Sequence, residues 1–153
     1  MDNDRLIGIL NNLIETCRDG REGFEEAAKN VASKDLKGFF SEVSQQRANY
    51  VGELELQVRA LGGSPEASGS VAGAARRVWI NIKGTVTGLD EKTILSEAER
   101  AEDLAVEAYE KALSEGLPVN IRLLIDTQYR DIIAVHDHVK RLRDKLAAGV
   151  GRG

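Results

Sequence analysis

GGSPEASGSVAGAARRVWINIKGTVTG, residues Gly62–Gly88, separates two pairs of long helical patterns, and its reading decides the architecture. Its first part is a loop of Gly, Ser and Pro. From Ser70, a residue suited to N-capping, the remainder reads as a short helix. Val71, Ala75, Val78, Ile82 and Val86 share one side of it, with Trp79, the single tryptophan, beside them. Arg76, Arg77, Asn81 and Lys83 fall mainly on the other sides. A turn of a few residues is enough to join antiparallel helices. These 27 residues, with a helix of roughly 25 Å at 1.5 Å per residue, are enough to run back along a bundle. The stretch is therefore expected to be a crossover, so that the third long helix starts at the end where the second started. The competing arrangement is an up-down-up-down bundle with an ornamental short helix.

Working outward on the N-terminal side, Leu6, Leu10, Leu13, Cys17, Gly20, Phe24, Ala27 and Val31 step by alternating four and three, a heptad-like stripe on one long helix. Gly20 lies on the stripe, where its missing side chain leaves room for a neighbour; a helix break there is the competing reading. After a short connection Ser33 or Asp35 caps a second helix. Its inner face is Leu36, Phe39, Phe40, Val43, Tyr50, Val51, Leu54, Val58 and Leu61, ended by Gly62-Gly63. The polar Arg47 falls at the centre of that face. On the C-terminal side Asp90 caps a third helix over about Glu91–Glu115, whose inner line, Ile94, Ala98, Ala101, Ala105, Ala108 and Ala112, is mostly small. Leu95, Leu104, Tyr109 and Leu113 flank this line. Alanines at these steps allow helix axes to approach closely. Gly116-Leu117-Pro118 turns into a fourth helix, on which Ile121, Ile125, Gln128, Ile132, Val135, Val139, Leu142 and Leu146 repeat the four-three step.

The result is an all-α chain, a four-helix bundle with a long crossover containing a short helix between the second and third long helices, the layout of ferritin-like folds. Residues 1–148 are expected to form a single domain and 149–153 a frayed tail. Composition agrees: 153 residues suffice for one core, and 30% charged with 5% aromatic residues favours helices over strands. The net charge of −4 supplies no general attraction to nucleic acid. Cys17 is the single cysteine, which excludes an internal disulfide. No long apolar run suggests a membrane span, and MDNDRLIGIL is too acidic and its apolar run too short for a signal peptide. A cytoplasmic protein is expected.

The layout invites a di-iron centre, which needs an inward Glu from each of two helices and Glu-x-x-His from each of the other two. The two histidines, His136 and His138, both lie on the fourth helix and follow Ile133 and Val135 at the required spacing, not carboxylates. On the second helix Glu53 is followed three residues later by Leu56. On the first, Glu15, Glu22 and Glu26 point nearly opposite to the stripe and Glu25 lies at its edge, so no carboxylate of that helix faces the core. No catalytic residue and no cofactor are predicted. A looser iron or manganese site at Glu97, Glu102 and His136 is the alternative. What faces inward is Arg47, Glu102 and Gln128, all near the bundle's middle. A buried guanidinium without a counter-charge costs several kcal/mol, so Glu102 is expected to accept from Arg47, Gln128 to complete a buried polar layer, and Gly20 to leave it space. Such layers more often fix helix register than catalyse. Cys17 reads as a small core residue, and Arg76, Arg77 and Trp79 as a solvated face with one anchoring indole.

The residues then resemble a bacterial family of uncharacterised four-helix bundles, a domain of unknown function with a ferritin-like fold. The likeness is carried by LNNLIETCRDGREGF at Leu10–Phe24, QRANYVGELELQVRALGGSP at Gln46–Pro65 and GSVAGAARRVW at Gly69–Trp79. EAERAEDLAVEAYEKAL at Glu97–Leu113 and, on the fourth helix, TQY and His136-Asp137 complete it. Relatives carry His where this chain has Ala75 and Gly where it has Ala101; a family that used that histidine as a ligand would have lost it here. The resemblance implies the fold and a bacterial cytosolic setting, and Arg47, Glu102 and Gln128 match positions characteristic of the group. It implies no activity. The function expected is a non-catalytic structural or protein-interaction role, as a homo-oligomer (dimer or higher) without nucleic acid or membrane. The alternative is a metal-binding oxidoreductase or storage protein of ferritin type.

Overall fold

The computed structural model describes residues 1–65 and 91–149. They form four helices, α1 (Asn3–Asn30), α2 (Lys34–Ala60), α3 (Glu91–Leu113) and α4 (Val119–Gly149), and no strand occurs among the described residues. Asp2 caps α1, its Oδ1 accepting from the Arg5 amide at 2.8 Å. The helix then runs unbroken through Gly20, contrary to the break considered above. A glycine costs up to about 1 kcal/mol in a helix interior, and the stripe it interrupts is buried along its whole length. Ser33 rather than Asp35 caps α2, leaving Asp35 in the first turn where the helix dipole favours a carboxylate.

α2 ends in a Schellman motif. The Gly62 amide donates to Arg59 O and the Gly63 amide to Val58 O, both at 2.9 Å, with Gly62 at φ +83°. Gly63 has a second reason to be glycine: a Cβ there would come within 2.8 Å of the Ile7 side chain on α1. Asn11 Nδ2 donates to Ser64 O at 3.1 Å, so the exit from α2 is fastened to the first half of α1. The α3–α4 turn is fastened from α4, where the Arg122 guanidinium donates to Leu113 O at 2.9 Å and to Glu115 O at 2.6 Å. The Leu113 carbonyl is among the ones that a helix C-terminus leaves without intrahelical partners, and Glu115 lies in the turn that follows.

Contacts at the helix ends fix the topology. Arg5 at the start of α1 pairs with Glu115 just past α3, while at the other end the Ser33 amide donates to Glu91 Oε2 at 3.0 Å. α1 and α3 are therefore antiparallel. α2 and α4 are antiparallel as well, with Phe39 against His138 toward one end and Glu53 bonded to Gln128 toward the other. α1 and α2 are antiparallel too, with Arg18 bonded to Glu55 and Ser44 Oγ to Arg21 O, so α2 and α3 run in the same direction. The chain leaves α2 beside the first half of α1 and re-enters at the opposite end as α3, so the connection traverses the bundle. This excludes the up-down-up-down arrangement. The short helix read over Ser70–Val86, with Arg76, Arg77 and Trp79, lies outside the described residues, as does the tail from residue 150.

Two apolar clusters fill the bundle. One gathers Leu6, Leu10, Leu13, Leu54, Val58, Ile121 and Ile125; the other gathers Phe24, Ala27, Phe40, Val43, Ile94, Ala98 and Val139. Polar residues meet between them. α1 departs from the sequence reading on its outer side. Asn11, Glu15, Thr16 and Asp19 are 6–7% exposed, although Glu15 stands opposite the apolar stripe. The middle of α1 is thus buried on much of its outer side too, and Glu15 and Asp19 are both engaged in interactions there. A polar face predicts solvation only when nothing packs on it, and periodicity does not report that.

Candidate functional site

The centre of the bundle is built from one residue on each of several helices at matching height. Arg47 reaches inward from α2 and Glu102 from α3, and they meet in a forked pair with both N–O distances at 2.6 Å. Each side chain is 1% exposed. The guanidinium lies 5.5 Å from the centroid of the Phe24 ring, within cation–π range. Its Nε donates to Gln46 Oε1 at 3.3 Å. On the α1 side it passes Gly20, where an added Cβ would stand 3.3 Å from Nη1. Burial by itself disfavours the Arg47 cation, yet the Glu102 carboxylate outweighs it and holds the guanidinium above its ordinary range.

A second chain of hydrogen bonds starts beside this pair. Tyr109 on α3, fully buried, donates to Gln128 Oε1 at 2.7 Å and lies 3.1 Å from Cys17 Sγ. Gln128 in turn donates through Nε2 to Glu53 on α2 at 3.0 Å, at the bundle surface. Tyr50 donates to Asp131 at 2.5 Å across the same α2–α4 seam. Burial pushes the Cys17 thiol up to about 11, with the Tyr109 hydrogen bond opposing part of that rise. Such a thiol is a poor nucleophile. Burial, and then the neighbouring Cys17, also raises Tyr109 well above the usual tyrosine range.

Of the residues singled out from sequence, Arg47 and Glu102 touch each other, and Gln128 joins through Tyr109 rather than directly. Glu97, Glu102 and His136 do not converge. Glu97 faces Arg100 one turn along the same helix, Glu102 is occupied by Arg47, and His136 contacts Asp103 at 2.5 Å and Asp137 at 3.2 Å. No group of three His, Cys, Asp or Glu able to hold a metal occurs among the described residues. The four inward positions at mid-height are Gly20, Arg47, Glu102 and Gln128. They offer one carboxylate, and both of its oxygens are taken. That donor set does not fit a di-iron centre. Tyr109, Cys17, Phe24 and Glu53 belong to the site and were missed as members of it. Tyr109 was placed beside the alanine row, although it stands seven residues, two turns, from Glu102 on the same face.

A four-helix bundle with one traversing connection and an inward polar layer is of the ferritin-like class. Residues 5–115 match the model of a family described as a domain of unknown function (DUF2383), and the chain belongs to that family. No curated protein matches it. Among solved structures it is similar to a dodecameric thioferritin, the bacterioferritin-related protein of Bacteroides fragilis. The TM-score is 0.79 at 15% identity, over 97% of this chain and 89% of that one. It is also similar to a two-domain protein of Anabaena variabilis containing DJ-1/ThiJ/PfpI-like and ferritin-like domains. There the TM-score is 0.78 at 15% identity, over 95% of this chain and 40% of that one.

Proposed function

We propose that this protein is a non-catalytic helical bundle of the bacterial cytoplasm that acts through its surface, in a structural or protein-interaction role, and that it self-associates. The observation that carries the reading is the Arg47–Glu102 pair. This buried charge is neutralised within the chain and sealed from solvent, so neither partner is free to act on a substrate. The neighbouring tyrosine and thiol are held in their neutral forms by burial. Self-association is supported by the dodecameric state of the Bacteroides fragilis neighbour and by Leu56, Val119 and Leu123, which are 63–75% exposed. No helix among the described residues is long and apolar enough to cross a membrane, and the net charge of −4 gives no attraction to nucleic acid.

The second reading is a metal-binding ferritin-like protein for iron or manganese, and what favours it is that the neighbour is a thioferritin. One experiment separates the two. Untagged protein purified without chelators is analysed for metals, challenged with Fe(II), and sized by light scattering. Metal-free protein that takes up no iron and forms a defined oligomer is the expected result. Stoichiometric iron or manganese overturns the first reading in favour of the second.

A further inference from the structure

We infer that the guanidinium of Arg47 is a built-in cation standing at the mid-height layer where a ferritin-like bundle would hold metal, and that it keeps the Glu102 carboxylate closed to divalent ions. The inference rests on the reading of the site as metal-free and deepens it by naming the residue responsible. The oxygens of Glu102 both lie 2.6 Å from Arg47 nitrogens, so its charge is already matched and each oxygen already accepts a hydrogen bond. The guanidinium lies against Gly20 on one side and over the Phe24 ring on another, and the Glu102 side chain is 1% exposed. A positive charge already in place also repels a second one at short range in a medium of low dielectric constant. Beside the pair the Tyr109 hydroxyl donates to the Gln128 carbonyl, and Gln128 Nε2 donates outward to Glu53. With Arg47 shortened, the same volume would hold a buried carboxylate without a counter-charge. A hard divalent ion with its own waters would supply that charge.

The test uses the full chain and Mn(II) at 1 mM, followed by equilibrium dialysis, the loss of the free Mn(II) paramagnetic resonance signal, and melting temperature. Arg47→Ala is expected to bind about one Mn(II) per chain and to melt higher with the ion than without it, since a ligand of the folded state stabilises it. Wild type, Arg47→Lys and the double variant Arg47→Ala/Glu102→Gln are expected to bind none. Arg47→Lys keeps the charge and alters the shape, so Mn(II) bound by this variant overturns the inference. A folded Arg47→Ala that binds no Mn(II), or a double variant that binds as much, overturns it too. If Arg47→Ala folds poorly, refolding with and without Mn(II) gives the answer: recovery with the ion supports the inference and none refutes it. Mn(II) bound by wild type would instead count against the metal-free reading itself.

Discussion

The forked pair between Arg47 and Glu102 sets the sharpest expectations at the level of single residues. Breaking a buried pair leaves one charge uncompensated, at a cost of about 3–5 kcal/mol, whereas replacing both partners by apolar groups of similar size is often neutral or favourable. Glu102→Ala is therefore expected to lower the melting temperature by on the order of 10 °C, while Arg47→Met/Glu102→Leu stays near wild type. Thermal melts of Glu102→Ala and of the double variant beside wild type decide it; a Glu102→Ala melt near that of wild type removes the pair from the account of stability. Gly20 and Gly8 give a matched comparison on α1. A methyl at Gly8 meets nothing within 4 Å, so Gly8→Ala should stabilise by up to about 1 kcal/mol through helix propensity. A methyl at Gly20 presses on Arg47 Nη1, and Gly20→Ala should forfeit that gain or reverse it. Much of this layer was legible in the sequence, because a charged residue in the middle of an apolar face must find a counter-charge and Glu102 was within reach. Tyr109 was not, because a tyrosine beside a row of alanines reads equally as a flank or as the core, and only the packing of α1 against α3 decides which.

Helix ends and helix seams determine how the elements stay registered. Arg122 donates to two carbonyls at the end of α3, and hydrogen bonds from a charged donor contribute about 1.5–3 kcal/mol. Arg122→Ala should cost roughly that much and should raise amide exchange in residues 111–117 ahead of the rest of the chain. The outer seam between α3 and α4 carries links at Tyr129–Glu110, His136–Asp103 and Arg143–Glu99, seven residues apart on α4. Among these groups His136 is the one that titrates near neutrality. Burial alone would lower its pKa, but hydrogen bonds to Asp137 and Asp103 raise it above the usual histidine value. A raised folded-state pKa makes this contribution full below about pH 6.5 and lost as pH climbs through the raised value. Wild-type stability should thus fall relative to His136→Asn as pH rises above about 6.5, as followed by urea denaturation; parallel curves for the two proteins would exclude the link. Apolar periodicity located all four helices, since each buries one stripe. The burial of Glu15 and Asp19 on the far side of α1 was invisible to it, because charged residues on an outer face look the same whether water or protein covers them.

On the scale of the whole molecule, the direction of the chain matters more than any single contact. Gly62–Gly88 suggested a crossover by its length and by the short helix read within it, and the helix ends around it require one. Ser64 is tied to Asn11 in the first half of α1, and Glu91 meets Ser33 at the far end. α2, whose 27 residues rise about 40 Å, separates those two points. An extended chain covers at most about 3.3–3.6 Å per residue, so no link shorter than about twelve residues joins them in this topology. The 25 residues between Pro65 and Glu91 exceed that minimum about twofold. A deletion series within residues 66–90 should therefore keep cooperative melting while more than about fifteen residues remain, and lose it or turn to domain-swapped oligomers below about twelve. An up-down-up-down bundle would behave in the opposite way, tolerating a link of four or five residues. Light scattering reports the swap. Melting of each deletion with and without Glu102→Ala reports whether the Arg47–Glu102 coupling survives, and with it the seating of α2 beside α3 at mid-height. A deletion leaving five residues that melts as a wild-type-sized particle with the coupling intact would refute the topology.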